Sequence, residues 1–115
     1  MSFDQTRLRG CWSGEEIARF LDGAAIPMRL AVQDSVGSPW VVSLWFLREN
    51  DALWCATNRN AKLVSYLQAQ PQCGFEIAGD TPPYRGIRGK GHARLSADRG
   101  GEMLGRLLQR YGIAP

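Results

Sequence analysis

The residues able to do chemistry in this chain are few, and most of them are cations. Tyr84 to Leu95 carries Arg85, Arg88, Lys90 and Arg94 with no acidic residue among them. Such a segment creates a local positive field that suits an anionic ligand. Lys62 lies at the start of a helix-patterned run, where free backbone N–H groups and the helix dipole add to its charge. The single histidine, His92, sits in a strand-patterned stretch with no Ser or Cys nucleophile motif around it, so no hydrolytic triad is credible. It reads most simply as a solvated or hydrogen-bonded strand residue. The carboxylates are scattered through turns and helix starts, where capping and solubility account for them. Cys11, Cys55 and Cys73 are odd in number and lack paired spacing, which argues for reduced thiols rather than a metal site or a disulfide framework. Gly86, Gly89 and Gly91 match neither the dinucleotide fingerprint nor the phosphate-loop spacing. An enzyme built from so few catalytic side chains must take its difficult chemistry from a cofactor, with the protein binding and orienting it.

The elements that would position these residues can be read in order. Ser13 and Glu16 form an S-x-x-E capping box ahead of Ile17, Phe20 and Leu21, predicting a short amphipathic helix that Gly23 ends. Met28 to Gln33 reads as a strand, Asp34 to Ser38 as a glycine-bearing turn, and Trp40 to Leu47 as a second strand. The run WVVSLWFL is apolar on both parities except at Ser43, so it is expected to be central, or to face a core on one side and a partner or ligand on the other. Ala52 to Thr57 completes a hairpin. Asn60 is expected to cap a helix that runs to Gln70 and stops at Pro71. Cys73 to Ala78 and the glycine-loosened Tyr84 to Leu95 supply two more strands, and Ala97 to Tyr111 a last helix. Five strands with tight connections favour a mainly β antiparallel barrel with flanking helices over a doubly wound sheet.

Composition sets the outer limits. The 115 residues, 44% of them apolar and 22% charged, suit one globular domain spanning 1–115. The first ten residues have no signal-peptide core and no run is long enough to span a bilayer, so a cytoplasmic protein without a membrane partner is expected. A net charge of +3 is only mildly basic. Trp40, Trp45 and Trp54 lie apart from the basic stretch, which argues against a nucleic-acid-binding barrel that stacks bases beside its cations.

Three segments together carry a family resemblance: VVSLWF from Val41 to Phe46, LWCATNRNAKLVSYLQAQPQCGFEI from Leu53 to Ile77, and TPPYRGIRGKGHARL from Thr81 to Leu95. In order, spacing and turn chemistry they resemble the pyridoxamine 5′-phosphate oxidase-like flavin-binding proteins, over roughly residues 24 to 111. The resemblance implies an antiparallel split β-barrel that forms a homodimer, with FMN held between the subunits and a hydride passed to or from a small-molecule substrate. By that resemblance Val41, Val42, Ser43, Leu44 and Trp45 line the isoalloxazine, Ala56 and Thr57 contact the cofactor, and Asn60 opens the helix whose Lys62 meets the phosphate. Arg85 and Arg88 are further anion contacts. A deazaflavin coenzyme or haem is the alternative ligand, and a binding protein without turnover the alternative function. Val41 and the Lys62–Leu63 pair replace basic residues of the pyridoxamine phosphate oxidases proper, and the chain reaches Pro115 ahead of the segment that supplies their substrate-binding Arg and His. That particular activity is therefore not expected.

Overall fold

A computed structural model describes residues 12–83 and 85–112. Tyr84, the expected start of the last strand, and Cys11 lie outside the described residues. Helix α1, Gly14–Gly23, begins as its sequence dictates: the Ser13 hydroxyl accepts from the Glu16 N–H at 3.1 Å, and the Glu16 carboxylate accepts from the Ser13 N–H at 3.1 Å. Strand β1, Met28–Gln33, and strand β2, Pro39–Leu44, form an antiparallel hairpin. Their turn is held by the Asp34 carboxylate, which accepts from Val36 N–H and Ser38 N–H, while Gly37 supplies the positive φ of 84°.

The chain then departs from the expected single strand over Trp40 to Leu47. It breaks at Trp45 and Phe46, and a separate strand β3, Leu47–Glu49, pairs with β4, Ala52–Trp54. Phe46 keeps the inward parity of Val42 and Leu44 and is fully buried, and the alternation changes at the next residue, Leu47, which is buried as well and begins the new strand. Helix α2, Lys62–Ala69, leads into β5, Gln72–Ala78, and β6, Gly86–His92, before helix α3, Gly100–Arg110. Ala61, not Asn60, occupies the N-cap of α2 and makes no side-chain cap bond. Asn60 is instead drawn into the preceding turn, its N–H donating to Asn58 Oδ1 at 2.8 Å.

Two separate antiparallel sheets result, four strands in the order β2-β1-β5-β6 and the pair β3-β4, without a closed barrel among the described residues. Of the two placements expected for this run, the central one is not observed: among the described residues β2 pairs with β1 alone and lies at an edge. Register sorts the large sheet into two faces. Rows Val42–Leu30–Phe75–Gly89 and Leu44–Met28–Ile77–Ile87 point into the core, where Leu21, Phe46, Leu53, Leu63 and Leu67 meet them. Row Ser43–Arg29–Glu76–Arg88 points outward, and all four of its residues are exposed. Gly86 is required by its neighbours, since a Cβ there would stand 2.5 Å from the Ile77 carbonyl oxygen, and at Gly89 a Cβ would press on the Phe75 ring at 3.0 Å.

Helix α3 joins the parts that the ladders leave separate. Met103 and Leu107 pack with Leu47 beneath the β3-β4 hairpin. Arg99 bridges Glu49 and Glu102 and lies 4.5 Å over the Trp54 ring, and Arg106 donates to Glu49 as its second arginine. In the last turn Arg110 donates to the carbonyls of Leu21, Asp22 and Ala24, supplying the cation that the end of α1 lacks in its own last turn. Arg48 adds a two-pronged bond to Asp22 at 2.9 and 2.7 Å.

Replacing Arg110 with Met leaves three carbonyls without their donor. Urea unfolding should then show a loss of about 2 to 4 kcal/mol, whereas a surface change such as Gln109→Ala should cost less than about 0.5. The two guanidiniums hold the Glu49 carboxyl at about 2, below its ordinary 4.5. A depressed carboxylate pKa stabilises the fold above the unfolded-state value, and that contribution is lost as pH falls through the folded-state value. Glu49→Gln should therefore be less stable than the unaltered protein at neutral pH, with the gap between them closing as pH drops from about 4.5 towards about 2.

Candidate functional site

Two stretches place exposed binding groups next to rigid elements. The first is the edge strand β2 and the break after it. Val41 is 63% exposed and Ser43 is exposed on the outward face, while Val42 and Leu44 turn inward against the core. A ligand lying along this strand meets its open backbone edge and one parity of side chains, so the five expected contacts divide between two faces. Trp45 is 38% exposed, and its indole stacks on the Tyr111 ring at 4.9 Å with an interplanar angle of 12°. Tyr111 is itself fixed. Its hydroxyl donates to the Ile26 carbonyl at 2.9 Å and accepts from the Phe46 N–H at 3.2 Å, which pins the chain where β2 gives way to β3.

The second stretch leads from β4 into α2. β4 ends at Trp54, so Ala56 and Thr57, expected at a strand end, lie in the connection that follows it. Ala56 packs against the Leu47–Met103–Leu107 cluster, and Thr57 is exposed. Asn58, Arg59, Asn60 and Lys62 are all exposed. The contrast with α1 is informative. The first turn of α1 is closed by its own Ser13 and Glu16, but α2 has no side-chain cap and no acidic residue in its first turn. No acidic residue occurs between Asp51 and Glu76. An uncapped helix start carrying Lys62 beside Arg59 therefore presents N–H donors and positive charge to an anion. Arg59 is not among the residues singled out from the sequence, and nothing local in it marks the residue as a neighbour of an open helix start.

Ala56 thus borders the hydrophobic cluster under α3 directly, and Trp45 is tied to it through Tyr111. Arg85 and Arg88 fall elsewhere within the chain. Arg85 lies against α1, where with Trp12, Glu16, Arg19 and Phe20 it lines an open depression of about 340 Å³. Arg88 projects from β6 opposite Glu76, at the other edge of the large sheet from β2. Three strand spacings of about 4.8 Å put it roughly 14 Å from the β2 backbone. Lys90 and His92 share its exposed parity. Burial pushes the Cys55 thiol up to about 12 and the Cys73 thiol upward as well, so neither is poised as a thiolate nucleophile. Among the described residues no cluster of His, Cys, Asp and Glu could hold a metal ion, and no helix is long and apolar enough to cross a membrane.

Comparison with solved structures gives the architecture its place. An F420 reductase superposes with a TM-score of 0.78 at 20% identity, over 91% of this chain and 82% of that one. A conserved hypothetical protein of Mycobacterium tuberculosis gives 0.75 at 24% identity, over 96% and 72%. HutZ, the haem storage protein of Vibrio cholerae, gives 0.65 at 16% identity, over 86% and 75%. No protein-family model matches the chain, and no curated protein matches it. The similarity is one of fold: antiparallel sheet and three helices in the split-barrel-like arrangement of these structures.

Proposed function

We propose that the chain is one subunit of a homodimeric flavin- or deazaflavin-binding oxidoreductase, with FMN the first candidate ligand. The observation that carries this reading is the uncapped start of α2. It offers Lys62, Arg59 and first-turn N–H groups to a phosphate, whereas α1 is closed by its own Ser13 and Glu16, and α3, which also lacks a side-chain cap bond, carries the acidic Glu102 in its first turn. The exposed edge of β2 and the Trp45 ring supply a flat surface for the tricyclic part of the same ligand. The fold shared with an F420 reductase supports a ligand of this class.

When bound, such a ring supplies two-electron hydride chemistry, which the side chains of this protein cannot supply themselves. The chain's own contribution is binding and orientation. Lys62 and the α2 N–H groups neutralise and fix the anionic end. The β2 edge offers backbone donors and acceptors to the ring's polar rim, and Trp45 covers one ring face. The small substrate approaches the other face, where a second subunit completes the pocket. The outward row Ser43–Arg29–Glu76–Arg88 places cations and a carboxylate on the open sheet face available to that subunit, and Arg85 and Arg88 reach a ligand only if it extends across the dimer. A haem reading draws on HutZ and has one imidazole available, that of His92, which is exposed on β6.

Titration of the purified protein with FMN and with riboflavin tests the phosphate site separately from the ring. FMN should saturate at one per chain, and Lys62→Glu should weaken it at least about tenfold, since a charge-assisted bond is replaced by repulsion. Riboflavin, which has no phosphate, should bind both proteins alike. Failure of FMN, riboflavin and deazaflavin alike to bind the unaltered protein would refute the proposal, and saturable haem binding in their place would favour the haem reading.

A further inference from the structure

Tyr111 lies in no stretch that the resemblance marks as cofactor-binding, yet three independent contacts converge on it. Its ring stacks on Trp45 nearly parallel, at 4.9 Å and 12°. Its hydroxyl bonds to Ile26 on the segment before β1 and to Phe46 at the break after β2. Its backbone N–H donates to Leu107 in α3, so the ring is carried by the end of a packed helix. One face of the Trp45 indole is thus committed to Tyr111, and the residue remains 38% exposed.

An indole on a chain break would ordinarily sample several rotamers, and freezing them on ligand binding would cost affinity. Here the cost is met during folding, because the stack and the two hydroxyl bonds hold the ring before any ligand arrives. We infer that Tyr111 is a positioning residue that holds Trp45 as a preorganised stacking platform for a planar, electron-poor heteroaromatic ring. This inference rests on the ring site proposed above. It adds that the platform is a three-layer stack of ligand ring, Trp45 and Tyr111, and that affinity for the ring depends on a residue that never touches it.

The test compares Tyr111→Leu, Tyr111→Phe and Trp45→Leu by riboflavin affinity, by tryptophan fluorescence quenching and by thermal melting. Riboflavin is the probe because it lacks the phosphate that Lys62 would hold. Tyr111→Leu removes the stack and should weaken riboflavin about three- to tenfold, with reduced quenching of Trp45 emission. Trp45→Leu should weaken it at least as much and abolish that part of the quenching. Tyr111→Phe keeps the ring but loses both hydroxyl bonds, so it should melt at lower temperature while binding riboflavin within about twofold of the unaltered protein. A merely structural Tyr111 predicts instead that affinity falls wherever melting temperature falls, so that Tyr111→Phe binds riboflavin clearly more weakly than the unaltered protein, and that result would overturn the inference. Unchanged riboflavin affinity in both Tyr111→Leu and Trp45→Leu would overturn it too, while leaving the Lys62 phosphate site standing. Absence of any flavin binding by the unaltered protein would remove both proposals together.

Discussion

The last turn of α3 is the constraint on which the rest of the structure depends. The two sheets share no ladder, and α1 ends without a basic residue of its own to meet its carbonyls. Arg110 and Tyr111, adjacent in sequence, resolve both deficits. Arg110 gathers three carbonyls at the end of α1 while its guanidinium lies 5.0 Å over the Phe46 ring, and Tyr111 reaches the backbone on either side of the same region. The part-buried guanidinium places both Nη groups on these carbonyls while its buried Nε has no partner, so the bonds fix the docking of the helix against a desolvation cost. The break between β2 and β3 survives because Phe46 is buried between the two contacts.

That break matters for the candidate site. Had the apolar run continued as one strand, Trp45 would have alternated outward with Val41 and Ser43 on a solvated sheet face. The break instead brings it onto α3, where an aromatic partner fixes it. Binding and architecture are therefore linked through one corner of the fold, with the ring surface supported from behind by the residues that fasten the helices. The anion-binding end of the site is supported differently. The start of α2 is left open by its own sequence, and its helix is held by Leu63 and Leu67 in the core and by Tyr66 edge-on to Trp40 at 5.3 Å.

Much of this was legible in the residues, for reasons that are local. The Ser13–Glu16 box, the Asp34–Gly37 turn and the alternation of β1 and β5 depend on contacts within a few positions, and each forms as its pattern dictates. The differences arise where tertiary structure decides. Apolar character on both parities in WVVSLWFL suits a central strand, or one with a core on one side and a partner or ligand on the other, but part of it records two buried residues in succession, Phe46 and Leu47, where edge strand β2 gives way to β3. Asn60 had the chemistry of a cap, but Asn58 captured its N–H first and moved the helix start to Ala61. Arg85 and Arg88 are near neighbours in sequence, yet the turn into β6 sends one to α1 and the other to the outward sheet face. Tyr111 looked like the last apolar position of a helix stripe, because nothing local shows that its hydroxyl and ring serve segments 65 and 85 positions away.

The central claim is that one ligand spans the β2–β3 break and the start of α2. Backbone amide chemical shifts of the labelled protein, followed during titration with FMN, test it most directly. The account predicts that the largest changes fall in two groups, Val41 to Phe46 and Asn58 to Leu63, and that they saturate together with one affinity. Changes confined to the depression between α1 and Arg85, or to only one of the two groups, would contradict it.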